Sequence, residues 1–189
     1  MLAYVFWHWP QPAIDAGTYV DHLIAFHRTL AENKPAGFQR SRVFRFRGAS
    51  WLDTNGEAFE DWYLLDDSAA LDVINHAAVS GPCEGPHNLV AREAAGGTAG
   101  LYRLRTGKIE NARFALWLAK PEGLSYPDFY SILDPIVVEN EAALWGRQMT
   151  LGPTSEFVIH SLNPIQLPDG FKANQALTLQ SVDSDPKQL

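Results

Sequence analysis

The chain has 189 residues, 46% of them hydrophobic and 20% charged, enough for one large domain or two small ones around a buried core. Its formal charge of -7, with no basic run long enough to track phosphates, argues against nucleic acid or an anionic membrane as partner. Cys83 is the only cysteine, so no intrachain disulfide forms, and the N-terminus lacks both the basic start of a signal peptide and an unbroken apolar span; a soluble cytoplasmic protein is expected.

The first element is "LAYVFWHW", rich in aromatic and branched residues and ended by Pro10 and Pro12, which predicts a strand. Tyr4, Phe6 and His8 share one face of it, and Val5, Trp7 and Trp9 the other. Both faces are apolar, so the strand is expected to be covered on both sides. "TYVDHLIAFHRTLAENKPAG" follows, with Thr18 as the expected N-cap and Tyr19, Leu23, Phe26 and Leu30 as one helical stripe. His22 and His27 fall on the edges of that stripe.

"GFQRSRVFRFR" predicts a second strand, with a bulge near Val43 and Phe44 where the alternation slips. Arg40, Arg42, Arg45 and Arg47 alternate there with aromatics and read as solvated or paired side chains, Arg42 with Asp61. Asn55-Gly56 is a hairpin signal before a third strand, "AFEDWYLLDD". Glu60 and Asp61 are neighbours on a strand, so they point to opposite faces and make no carboxylate pair. "DSAALDVINHAAV" predicts a second helix capped by Asp67 or Ser68, with His76 paired to Asp72 one turn earlier. After the loop "SGPCEGP", "HNLVAREAAGG" predicts a short helix stopped by Gly96 and Gly97, and "AGLYRLRTG" a fourth strand. The order is β-α-β-β-α-β, the ferredoxin-like arrangement.

From about residue 110 the pattern begins again. "ARFALWLAKP" matches the first strand in type and in its closing proline. "SYPDFYSILDP" offers Ser125 as N-cap of a helix that Pro135 is expected to stop or kink. "ALWGRQMTLG" and "SEFVIHSL" read as paired strands around Gly152-Pro153, and "QALTLQSV" as a last strand. "NPIQLPDGFKAN", with two prolines and a glycine, is expected to be a loop where a second helix would lie. The spacing from Pro10 to Pro121 indicates a repeat of half the chain. The expected fold class is α+β, with one ferredoxin-like repeat over 1–108 and a second over 109–189, their antiparallel sheets forming a pseudo-dimeric barrel.

With the strand segments "YVFWHWP", "EDWYLLDD" and "RFALWLAKP" in this order, nearly the whole chain resembles the dimeric α+β barrel superfamily, in the form that carries both halves on one chain. That superfamily includes cofactor-free oxygenases acting on aromatic polyketides, lactone isomerases, haem proteins of the chlorite dismutase and dye-decolourising peroxidase type, and stress proteins of no known chemistry. The resemblance implies two sheets packed face to face and a pocket between a sheet and its helices. Fold alone does not choose among these functions.

The residues narrow the chemistry. No metal-ligand spacing occurs among the histidines; Cys83 and His87 are four apart but too few for a zinc site, so no metal is expected. There is no G-x-S-x-G elbow and no phosphate-cradling glycine loop, and no cofactor is called for. Acid–base work by histidine remains, since imidazole moves protons near neutral pH unaided. His8 and His27 are the candidate catalytic residues, and Tyr4, Phe6, Phe26 and Trp62 the candidate lining of one shared cavity. His8, at a strand end near an opening, is expected to be dispensable for folding; His160 reads as structural. The partner is then an apolar or aromatic small molecule, and the activity a cofactor-independent oxygenase or isomerase. The alternatives are a non-catalytic barrel acting through packing and self-association, including as a homodimer, and a haem protein with an axial histidine.

Overall fold

A computed structural model of the protein describes residues 1–108 and 111–182. The boundary expected between residues 108 and 109 adjoins the pair left out, and residues from 183 onward also lie outside the described residues.

The first half contains β1 (Leu2–Pro10), α1 (Ala16–Asn33), β2 (Phe38–Arg47), β3 (Glu57–Leu65), α2 (Ala70–Ala78), α3 (Glu84–Glu93) and β4 (Ala94–Gly107). The second contains β5 (Phe114–Leu118), α4 (Tyr126–Glu139), β6 (Ala143–Arg147), β7 (Phe157–Ser161), β8 (Ala173–Thr178) and the short β9 (Gln180–Ser181). The strands form a nine-stranded sheet in the order β8-β5-β7-β6-β4-β1-β3-β2-β9, and every recorded pairing is antiparallel. β4 joins the halves. It pairs with β1 over Ala94–Arg103 and with β6 over Tyr102–Gly107. At the far edge, β9 pairs with β2 through Phe44↔Ser181 and Arg45↔Gln180. No helix among the described residues is long and apolar enough to cross a membrane.

Alternation along the strands assigns each side chain to a face. Val5 and Trp7 of β1, Trp62 and Leu64 of β3, Trp117 of β5, Trp145 of β6 and Val158 of β7 belong to one core to which both halves contribute. Its aromatic contacts are mostly edge-on, Trp7–Trp117 at 5.7 Å and Trp62–Trp145 at 5.2 Å between ring centres, the arrangement ring quadrupoles favour. The opposite face carries the helices. Leu2, Phe26, Leu30, Tyr63 and Ile74 pack there in the first half, and Phe129, Leu133, Phe157 and Ile165 in the second.

Several local expectations are corrected. Asp15, not Thr18, caps α1: its Oδ2 accepts the Thr18 N–H at 2.9 Å, so the helix begins before Thr18. The irregularity in β2 lies between Phe38 and Arg40, not at Val43–Phe44. Gly96 and Gly97 do not stop α3; they are paired strand residues opposite Trp9 and His8. A Cβ on Gly97 would stand 2.5 Å from the Phe6 ring, so only glycine lets that ring lie against the strand. α4, capped by Ser125 as expected, runs on past Pro135 to Glu139. His76 is exposed and makes no ion pair with Asp72. Residues 162–172 contain no helix; Ile165, Leu167 and Phe171 of that loop pack on the helix-side core of the second half.

Among the described residues, the shared core holds one carboxyl group. Glu60 is fully buried and accepts from Trp7 Nε1 at 3.1 Å, and His160 Nε2 lies 3.7 Å from its other oxygen. Burial pushes the Glu60 carboxyl up to about 7 and the His160 imidazole down to about 3, so between these two values both stand uncharged. The native chain therefore keeps a proton on Glu60 that the unfolded chain releases from about pH 4.5 upward. Stability falls with rising pH by about 1.4 kcal/mol per unit across that window. Glu60→Gln removes this dependence. It is expected to be more stable than the parent at pH 7.5, with the advantage shrinking toward pH 5, as urea unfolding of both forms at the two pH values will measure.

Candidate active site

The helix-side face of the first half holds a chain of polar groups beneath an apolar cavity. β1 and β3 build its floor. Phe6 lies opposite Asp61 and His8 opposite Phe59, so His8 and Asp61 are diagonal neighbours on one face. β2 adds Ser41, opposite Tyr63. α1 crosses above and presents Tyr19, Leu23, His27 and Leu30 at steps of four, four and three, all buried. Tyr19 and His27 are thus two turns apart on one stripe, about 12 Å along the axis at 1.5 Å per residue. That span matches the chain of groups below it.

Asp61 is its centre. The residue is 2% exposed, set between Phe59 and Tyr63 on this face of β3. His8 Nε2 lies 3.2 Å from Oδ1, off the line of a good hydrogen bond. His27 Nε2 lies 3.1 Å from Oδ2, and the Tyr63 hydroxyl donates to the same oxygen at 3.0 Å. The outer nitrogens are also engaged. His8 Nδ1 is 2.7 Å from the Tyr19 hydroxyl, and His27 Nδ1 is 2.7 Å from Ser41 Oγ. A carboxylate can only accept, so each imidazole turns an Nε2–H toward it. Each Nδ1 is then left to accept from Tyr19 or Ser41.

Burial alone would raise the Asp61 pKa. Electrostatic attraction to His8 and His27, and hydrogen bonding with them, outweigh it and hold the carboxyl well below the usual range. Tyr19 shifts the other way: burial first, then the charges of Asp61 and Glu93, raise its hydroxyl well above an ordinary phenol. Tyr63 is raised too, by burial and by Asp61. Both phenols stay protonated at neutral pH, as donors beside a fixed negative charge.

The cavity above this floor has a volume of about 670 Å³. Tyr4, Phe6, His8, Tyr19, Phe26 and Tyr63 line its inner part; α2 contributes Leu71, Asp72, Ile74 and Asn75, and α3 His87, Val90 and Ala91. Of the residues proposed from sequence, Tyr4, Phe6, His8 and Phe26 meet here. His27 does not reach the cavity; it is fully buried on the far side of Asp61. Trp62 is misplaced by that reading: it lies opposite Val5 on the inter-half face, pointing away from its neighbours Asp61 and Tyr63. Arg42 likewise lies on that other face, opposite Trp62, so it is not the partner of Asp61. His8 is corrected in another respect: at 1% exposure and bridging Tyr19 to Asp61, it is part of the packing. His22 stands outside the chain and ties α1 to the end of α3 through Glu93 at 2.9 Å.

Asp61, Tyr19, Ser41 and Tyr63 are the members that sequence reasoning missed. The available signal was an acid in an apolar strand face beneath a helix that steps Tyr19, Leu23, His27 by fours. Among the described residues, no group of three or more His, Cys, Asp or Glu side chains is arranged to hold a metal ion.

No protein-family model matches the chain, and no curated protein matches it. Solved structures do. A candidate monooxygenase from Fusobacterium nucleatum superposes with a TM-score of 0.69 at 9% identity, over 96% of this chain and 92% of that one. A candidate monooxygenase from Lactobacillus acidophilus gives 0.61 at 11% identity, over 96% and 94%. A candidate chlorite dismutase gives 0.51 at 12%, over 97% and 96%. At these identities the likeness is one of fold: a mixed α+β architecture with a large antiparallel sheet.

Removing the central charge tests the floor. Asp61→Ala leaves two imidazoles and a phenol buried without their acceptor and is expected to cost about 3–5 kcal/mol, the usual scale for breaking a buried ion pair. The sign with pH follows from the lowered pKa. The contribution of Asp61 is complete above its unfolded value near 3.8 and is lost as pH falls through the folded value. The stability gap between the parent and Asp61→Asn should therefore be smaller at about pH 3 than at about pH 5, measured by urea unfolding.

Proposed function

We propose that the protein is a cofactor-independent oxygenase or isomerase acting on an apolar, aromatic small molecule, with its chemistry in the first half. The observation that carries this reading is the Tyr19–His8–Asp61 chain set into the wall of an apolar cavity. Both reactions can begin with the same step, removal of an acidic C–H or O–H proton to leave an anion delocalised over an aromatic or carbonyl system. Tyr19 faces the cavity and its hydroxyl already donates to His8. A ligand proton passes to the Tyr19 oxygen while the Tyr19 proton moves to His8 Nδ1. The imidazolium that forms is held by Asp61, in a low-dielectric setting that strengthens the pairing. His27 and Ser41 hold Asp61 from the other side and touch no ligand. Tyr4, Phe6 and Phe26 supply apolar surface, worth about 25 cal/mol per Å² buried.

The same proposal takes the chain as two ferredoxin-like repeats, 1–108 and 109–189, curled into a pseudo-dimeric barrel. Support comes from the strand orders, β4-β1-β3-β2 and β8-β5-β7-β6, which read fourth-first-third-second in each half, and from the pairing of β9 with β2.

The haem alternative fits poorly. Both nitrogens of His8 and of His27 face partners, which leaves His87 as the cavity imidazole with a nitrogen to offer. The described lining contains no arginine or lysine to meet the propionates and carries Asp61 and Asp72 instead. Nothing in the cavity calls for the packing-only alternative, which leaves a buried acid–base chain without a use.

The test uses anthrone, an apolar tricyclic compound with an acidic C–H beside a carbonyl-bearing ring system. The parent protein is expected to gain thermal stability with it and to accelerate its proton exchange or its oxygen uptake. His8→Gln and Asp61→Asn should retain binding within a few-fold and lose about 10²–10⁴ of the rate, the usual contribution of a positioned acid–base group. Unchanged rates in both variants would refute the assignment.

A further inference from the structure

The cavity has a second pole, which bears on what it accepts. Its inner end is set by Tyr19 and His8. Its rim on α2 carries Asp72 and Asn75, and on α3 His87. Asp72 makes no ion pair and no side-chain hydrogen bond among the described residues. Among the described residues, the lining holds two acids, Asp61 below and Asp72 at the rim, and no lysine or arginine. Asp61 stays ionised because the imidazoles hold it so, and the chain as a whole carries -7.

A ligand carboxylate or phosphate entering this space would lose water and, among the described lining residues, meet no lysine or arginine. It would pay the desolvation penalty and add like-charge repulsion from Asp72. A neutral ligand pays neither, and a cationic group left at the rim gains Asp72 as partner.

Resting on the proposed proton-transfer reading, we infer that the substrate class is an uncharged or cationic hydroxylated aromatic, and that Asp72 is the residue that turns carboxylated analogues away. The hydroxyl end goes inward to Tyr19 and His8, where donors and acceptors are already aligned. The substituent end stays at the α2–α3 rim. Discrimination of this kind arises from a repulsive group as much as from an attractive one.

Three probes with one ring system decide it: 2-naphthol, 6-hydroxy-2-naphthoate and 6-(aminomethyl)-2-naphthol, titrated calorimetrically at pH 7.5 into the full chain. The expected order is amine tightest, neutral next, and carboxylate at least tenfold weaker than neutral. Asp72→Lys, an exposed helix position where the fold loses nothing buried, should reverse the order of the two charged probes and leave 2-naphthol within about threefold. A carboxylate that binds the parent as tightly as 2-naphthol, or a ranking that Asp72→Lys leaves unaltered, would overturn the inference while the proton-transfer reading stands. Binding of none of the three would overturn that reading and the inference with it.

Discussion

A negative charge under an apolar cavity is the constraint around which the first half is arranged. An isolated carboxylate in that position would cost several kcal/mol of lost hydration. Asp61 is tolerated because two imidazoles and a phenol converge on it from three elements. Each of these needs its own partner in turn, which brings in Tyr19 and Ser41. The result is a continuous line, Tyr19–His8–Asp61–His27–Ser41, that fixes α1 in both translation and rotation on the sheet. Sliding the helix by one turn would break both of its ends at once.

Glu60, one residue away, shows the opposite solution on the opposite face. Beside its carboxyl stand the Trp7 indole and the His160 imidazole, which burial keeps neutral, and burial keeps Glu60 protonated instead. Two adjacent acids in one strand thus carry different charge states at the same pH, through the two-residue alternation of β structure alone.

Much of the architecture was legible in the chain. β1, with both faces apolar, could only be a covered strand, and Pro164, Pro168 and Gly170 could only break a helix. Local chemistry also placed Ser125 correctly as a cap. The site was legible in part. Tyr4, Phe6 and His8 share a face by parity, but parity says nothing about which face a neighbouring strand turns to the same side. That depends on register, and the register of β3 against β1 sends Asp61 toward His8 and Trp62 away. Composition suggested Arg42 as the natural partner of Asp61 because opposite charges in adjacent strands usually pair. The register places Val43 opposite Asp61 instead. His27 was read as an edge residue because the stripe was drawn through Phe26; stepping by four from Tyr19 and Leu23 puts His27 at its centre.

The two halves share a strand order but differ in what covers their helix-side faces. In the first, α2 and α3 roof a space; in the second, the loop of residues 162–172 lowers Ile165, Leu167 and Phe171 into the corresponding region. One face is hollow and the other is plugged. If the cavity is a binding site as proposed, the two halves contribute unequally to it, and the expected stoichiometry is one molecule per chain. Saturation by any ligand of this cavity should follow a simple hyperbola, and cooperativity, if observed, would have to arise between chains.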